Sequence, residues 1–212
     1  MLLVDWEIKC LCTPNEKILS EYKYYAPNRH EYFDKPMIEP FSEAVSGNGI
    51  ISYGLSSCGY DLRMGQEVLI FKNTSGEAVD PKKFKDKDYQ HRMFDKIIRS
   101  QGEPITIPAH GYILAESFEY LRIPRHLAGR CIGKSTYARS GIIVNCTPLE
   151  PQWEGHLTIE ISNSCPCPAI VYCLEGIAQL QFELLNSGVK VSYADKSGQY
   201  QAQVGVTPPR VK

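Results

Sequence analysis

Two stretches of the chain bring together side chains that can do chemistry. "GKSTYARSG", residues 133–141, holds Lys134, Ser135, Thr136 and Arg139 between two glycines. Residues 134–139 are expected to form a helical turn, which puts Ser135 and Arg139 one turn apart on the same face. Free backbone N–H groups at the start of such a turn, with a lysine point charge and an arginine fork beside them, make a cradle for phosphate. The same composition also describes an ordinary solvated turn, and the spacing is not that of a Walker loop. The second stretch, "EGHLTIEIS" at 154–162, alternates. Leu157, Ile159 and Ile161 share one face of a strand; His156, Thr158, Glu160 and Ser162 share the other. If that second face meets bulk water, the pattern is ordinary. If it meets a pocket, Glu160 is a placed carboxylate able to move a proton.

Between them lies "EPQWEG", where Pro151, Gly155 and Trp153 make a tight corner beside Glu150. Taken singly, Trp153 reads as a partly buried core aromatic and Glu150 as a loop carboxylate. Metal-ligand spacing is missing from the eight cysteines: "CLC" and "CPC" occur, but no CxxC. In a chain of this size they are expected to be small apolar fillers in a reducing compartment rather than a disulfide scaffold.

The elements that must position these residues read mostly as β. "GYDLRMGQEVLIF", "GIIVNCT", "HLTIEIS", "AIVYC" and "AQLQFELL" have strand-like alternation or β-formers, and "PITIPAHGYILAESFEYLRIP" reads as two or three short strands. Many short strands with frequent turn signals argue for a sandwich, jelly roll or barrel. At the start, Leu3, Trp6 and Cys10 at helical spacing predict a short helix. Residues 13–36 are expected to be an irregular insertion packed by its tyrosines. "MIEPFSEAV" resumes order without declaring its type. "KKFKDKDYQHR" is a charged excursion, read as a solvated loop or short helix. The tail from residue 194 is rich in Gly, Gln and Pro, and suits either a frayed terminus or a lid that orders over a ligand.

The 212 residues suit one domain, 1–212, and a net charge of -1 gives no reason to expect nucleic acid or an anionic membrane as partner. No apolar run approaches a membrane span, and Asp5 and Glu7 interrupt the start where a signal peptide needs an apolar stretch. A cytoplasmic location is expected.

The order of the pieces says more than any one of them. "SSCGYDLR", "GKSTYARSG", "TPLEPQWEGHLTIE" and "GIAQLQF", followed by a Gly/Gln tail, resemble the trimeric dUTPase superfamily, and within it most of all dCTP deaminase. That family carries a Gly-Arg/Lys-Ser-Ser/Thr-x-x-Arg turn, here Gly133 to Arg139, and a Trp-x-Gly-x-x-x-x-Glu strand, here Trp153 to Glu160. The resemblance covers roughly residues 37 to 208. It implies an all-β distorted jelly roll of the dUTPase-like barrel type with short helices, assembled as a homotrimer with active sites between subunits.

The resemblance also implies an activity: hydrolysis of dCTP to dUTP and ammonia, in the supply of dUMP and dTTP, without a catalytic metal. By it, Glu160 is the proton shuttle, Ser135 and the Pro148 carbonyl position the water, and Arg139 stands beside the carboxylate. Lys134, Ser135 and Thr136 would meet the phosphates, with Tyr137 and Ala138 in the same turn. Glu150 would contact the sugar hydroxyl. Thr158, Ile159, Gln179, Tyr193 and Gln203 fall at positions that contact nucleotide. Mg²⁺ is expected to accompany the triphosphate, and Asp61 to hold structure at the subunit contact. The tail 194–212 becomes the lid. There Gln199 stands where many relatives have a phosphate-binding lysine; Lys196 is the nearest substitute. The H-x-E and P-C-x-x-C ligands of zinc deaminases are missing. The alternatives are a dUTPase or bifunctional deaminase–dUTPase, and a non-catalytic nucleotide-binding relative.

Overall fold

The computed structural model describes residues 1–13, 35–72 and 76–211. The insertion expected at 13–36, with its tyrosine packing, lies almost wholly outside the described residues. The chain opens with helix α1, Asp5–Cys12. Its buried face is Ile8, Leu11 and Cys12, joined by Cys10 and the preceding Leu3. Trp6 does not share that face and is 54% exposed, correcting the spacing read from sequence. Glu7 is buried because its carboxylate turns back to accept the Val4 N–H at 2.9 Å, closing the helix start.

Ten strands form one curled sheet. They are β1 Ile38–Glu39, β2 Val45–Gly47, β3 Ile50–Ser56, β4 Gly59–Phe71, β5 Phe94–Ile98, β7 Tyr112–Arg122, β8 Leu127–Gly133, β9 Ile142–Asn145, β10 Glu154–Asn163 and β12 Gly176–Leu184. β6 Pro104–Ile107 and β11 Ala169–Tyr172 pair separately. The stretch expected to hold two or three short strands is thus β6 and the long β7. β7 is the hub, pairing antiparallel with β4 on one side and β10 on the other. β9 borders β10, while β12 joins β4 to β8. The architecture is mostly β, as the alternation foretold.

β4 shows why one sequence can make a long strand and still curve. Tyr60, Leu62, Met64 and Val68 are fully buried, but its register against β7 shifts between Met64 and Val68. Gly65 lies in that bulge, where an added Cβ would meet Glu116 Cγ at 2.5 Å. Beside it, Arg63 Nε pairs with Glu119 Oε1 at 2.7 Å, and the Glu119 carboxylate is wholly buried. The Arg63 backbone N–H donates to the other carboxylate oxygen at 3.0 Å, and the Arg63 guanidinium lies over the rings of Tyr53 and Phe118.

Of the two readings of the charged excursion, the short helix is the one that forms, and it is not merely solvated. It forms a 3-10 turn, Pro81–Lys85, and helix α2, Lys87–Met93. Asp80 and Asp86 cap the two by accepting the N–H groups of Lys82 and Asp88. Phe84, Tyr89 and Met93 turn inward and make a second core with Leu69, Phe94, Leu114 and Val206. Phe84 meets Tyr89 edge-on at 5.0 Å. The main core lies on the opposite face of the sheet and takes Leu157, Ile159 and Ile161.

Candidate active site

The strand β10 alternates as its sequence predicts: Leu157, Ile159 and Ile161 are buried, and the intervening residues are half-open. Glu160 is opposite Asn145 of β9 and Leu114 of β7. Pairing therefore puts Thr158 and Glu160 on the face that carries Tyr112 and Leu114. That face is not bulk solvent. A cavity of about 330 Å³ opens on it, and Thr158, Glu160, Pro148, Glu150, Tyr193 and Gln203 all line it. Phe94, Tyr112, Leu114 and Leu157 give it apolar walls, and Trp153 closes one side.

The Glu160 carboxylate is consequently hard to ionise. Burial pushes its pKa up from 4.5 to about 7, and its own backbone N–H opposes this only in part. Oxygen Oε2 is buried with no hydrogen-bond partner among the described residues. A carboxyl balanced between its two forms near neutral pH can both take and return a proton.

The tail is folded over this cavity rather than frayed. Ser192, Gln203, Val206 and Thr207 are buried. Thr158 Oγ1 accepts from the Thr207 N–H at 3.2 Å and from Gln203 Nε2 at 3.3 Å, and Gln203 Nε2 also donates to the His156 carbonyl at 2.6 Å. Trp153 Nε1 donates to the Tyr200 carbonyl at 2.9 Å, and Tyr193 Oη accepts the Tyr200 N–H at 3.0 Å. Gly155 allows the approach: its φ is +143°, and a Cβ there would lie 2.9 Å from the Gln203 nitrogen. Glu150 pairs with Lys196 at 2.7 Å. Lys196 is therefore engaged beside the cavity by an acid.

The Lys-Ser-Thr turn does not line this cavity. Helix α3, Ser135–Ala138, forms as expected, with the Arg139 N–H donating to the Ser135 carbonyl at 3.0 Å. Ser135, Thr136, Ala138 and Arg139 are exposed. Tyr137 turns its ring into the core, and Ile159 is wholly buried on the core face, so each can offer a ligand only backbone. Asp61 gathers this second cluster. Its carboxylate pairs with Lys134 and accepts from Gln179 Nε2 at 3.1 Å, while Lys134 also reaches Ser52 Oγ at 3.2 Å. Neither residues 134–139 nor Gln179 lines the Glu160 cavity. The chain thus carries two separate groups of candidate residues.

Sequence reasoning missed much of the cavity wall. Phe94, Tyr112, Leu114, Tyr200, Thr207 and Pro209 were not singled out. Only the register of β7 against β10 aligns Leu114 with Glu160, and no local pattern states that register. Among the described residues no group of three or more His, Cys, Asp or Glu could hold a metal ion. All eight cysteines are free, and Cys146, near Glu160, has its thiol pushed up by contact with Cys131 and by burial.

Comparison with known proteins bears on the family of the chain. The family model described as dCTP deaminase-like matches residues 30–185. The chain belongs to that family. Curated dCTP deaminases are close in sequence. The one from Campylobacter lari is 50% identical over 175 residues, which are 82% of this chain and 90% of the relative. The one from Helicobacter hepaticus is 50% identical over 177 residues, 84% of this chain and 92% of its own length. Among solved structures, the 2'-deoxycytidine 5'-triphosphate deaminase of Agrobacterium tumefaciens matches with a TM-score of 0.55 at 15% identity. The match covers 86% of this chain and 47% of that one, and supports the dCTP deaminase-like fold alone. No helix among the described residues is long and apolar enough to cross a membrane.

Proposed function

We propose that this protein is a dCTP deaminase, converting dCTP and water to dUTP and ammonia with Glu160 as proton shuttle. The observation that carries this is a near-neutral carboxylate with a bare oxygen in a cavity, on a chain about half identical to curated dCTP deaminases. The ionised Glu160 takes a proton from water as oxygen bonds to C4 of the cytosine. It returns that proton to the ring nitrogen, then carries the proton of the new C4 hydroxyl to the amino group, so that the C4–N bond breaks to release ammonia and leaves the C4 carbonyl of dUTP. Thr158 holds the tail; Glu150 suits the sugar hydroxyl.

The two separate groups of residues support an assembly in which a neighbouring protomer completes each site. We propose a homotrimer of distorted jelly rolls, with Ser135 and Arg139 brought across the contact to Glu160, whose own cavity already holds Pro148 and its carbonyl. Arg139 would then orient the carboxylate and temper, without cancelling, the rise that burial gives its pKa. Lys134, Ser135 and Thr136 would cradle phosphate, and the folded tail serves as the lid. Among the described residues no His, Cys, Asp or Glu group could cage a metal, which supports Mg²⁺ arriving with the nucleotide on phosphate oxygens and water. We place the enzyme in the cytoplasm, supplying dUTP.

The test is incubation of the purified protein with dCTP, separating nucleotide products by chromatography and measuring ammonia. Wild type should yield dUTP and ammonia together. Glu160→Gln should lower turnover by about 10²–10⁴-fold without loss of fold. Appearance of dUMP and pyrophosphate instead identifies the bifunctional alternative. Nucleotide binding without ammonia release identifies the non-catalytic one.

A further inference from the structure

A groove of about 510 Å³ runs between the α2 segment and the end of the tail. Phe84, Lys85, Gln90, Gln199, Pro209 and Arg210 are among its lining residues. It adjoins the Glu160 cavity, because Pro209 lines both. Tyr200, which lines the cavity, pins the rim of the groove: its Oη accepts the Arg210 backbone N–H at 3.1 Å. A ligand with its base beside Glu160 thus has this groove next to it, on the other side of Pro209.

The charges of the groove are positive and uncommitted. Glu77 holds Lys83 and Arg92 of the same segment. Asp80 and Asp86 each give a carboxylate oxygen to a backbone N–H, and neither lines the groove. Lys85 and Arg210 are exposed and form no ion pair among the described residues. The Arg210 guanidinium gives Nη1 to the Gln199 carbonyl at 3.0 Å, which fixes it over the groove and leaves the rest of its fork for a ligand. Lys196, the other tail cation near the cavity, is held by Glu150.

We propose that Lys85 and Arg210 bind the polyphosphate chain of the nucleotide, on the tail side of the same protomer that supplies Glu160. This rests on the dCTP deaminase reading for the identity of the nucleotide, and adds two cations to the phosphate-binding turn expected from a neighbour. Two cations on opposite banks of a groove also tie the tail to α2 once an anion lies between them, so the polyphosphate itself would hold the lid shut.

The test uses inorganic tripolyphosphate as the probe, titrated calorimetrically into the intact protein, with ammonia release from dCTP scored separately. Wild type should bind tripolyphosphate. The Lys85→Gln/Arg210→Gln double variant should bind it at least about tenfold more weakly, and the loss should shrink as salt is raised. Arg210→Lys, which keeps the charge but not the fork, should bind between wild type and Arg210→Gln, and deoxycytidine binding should not change. Lys85→Gln alone, at an exposed position, keeps the test open if the double variant misfolds, and should weaken tripolyphosphate several-fold. Equal affinity of wild type and double variant, or failure of wild type to bind the probe, overturns the proposal even if dCTP is deaminated. An Arg210→Lys variant as weak as Arg210→Gln shows that the bond to Gln199 matters and not the charge, and overturns it too. Intact tripolyphosphate binding with no ammonia from dCTP leaves the groove assigned and removes the deaminase reading instead.

Discussion

Replacing Glu160 by glutamine should make the ligand-free protein more stable, and only on the alkaline side. Burial raises the Glu160 pKa from 4.5 to about 7. Between those values the native state holds a proton that the unfolded chain has lost. Native stability therefore falls as pH rises through that window and levels off above it. At about 1.4 kcal/mol per pKa unit the full shift corresponds to about 3 kcal/mol, and partial solvent access reduces this to about 2 kcal/mol. Glutamine never ionises, so it escapes this penalty, but it sets an amide N–H₂ where Oε2 has no partner. That loss costs about 1 kcal/mol at every pH. The variant should thus be slightly less stable than wild type at pH 5 and about 1 kcal/mol more stable at pH 8. For a chain of this length, that is a rise in Tm of about 2–4 °C at pH 8. Thermal melts of both proteins in ligand-free buffer across this range decide the matter. A difference in Tm that stays constant with pH would refute the argument, because it would mean that the carboxyl ionises as freely in the folded protein as in the unfolded chain.

Two further perturbations test the scaffold around the site. Phe84→Ala removes a ring buried in the second core and should destabilise by about 3–5 kcal/mol, seen as an earlier urea midpoint; an unchanged midpoint would mean that α2 does not pack as described. Gly198→Ala puts a Cβ 2.1 Å from Tyr193 Cε1, so the ring that holds the Tyr200 N–H must move. Limited proteolysis should then cut the tail faster while the melting of the sheet changes little, and equal cleavage rates would show that the tail does not depend on this contact.

The alternating strands were legible because a strand half in the core writes its burial into every second residue. Leu157, Ile159 and Ile161 announced themselves, and with them the face that carries Glu160. The helical turn at 135–138 was legible for a similar local reason. The second core was hidden by its own solubility: Phe84, Tyr89 and Met93 are embedded among lysines and aspartates, and their inward direction depends on where α2 docks. Trp6 misled because three spaced apolar residues define a helical face only if each meets the body of the protein, and Ile8 and Leu11 meet it instead. The cavity wall was illegible in principle. Leu114 faces Glu160 through a pairing of β7 with β10 across a long sequence separation, and the bulge between His156 and Thr158 shifts that register in a way no strand propensity encodes. The tail suited two descriptions until the hydrogen bonds of Gln203 and Thr207 to Thr158 chose one.

Trp153 has a use beyond its place in the wall. The chain has two tryptophans, and their surroundings differ sharply: Trp6 is 54% exposed and Trp153 only 5%. Because the Trp153 indole is bonded to the tail at Tyr200, lifting the tail must wet that ring and shift its fluorescence toward the red. With Trp6 changed to phenylalanine, the protein becomes its own optical gauge of closure, with no dye attached.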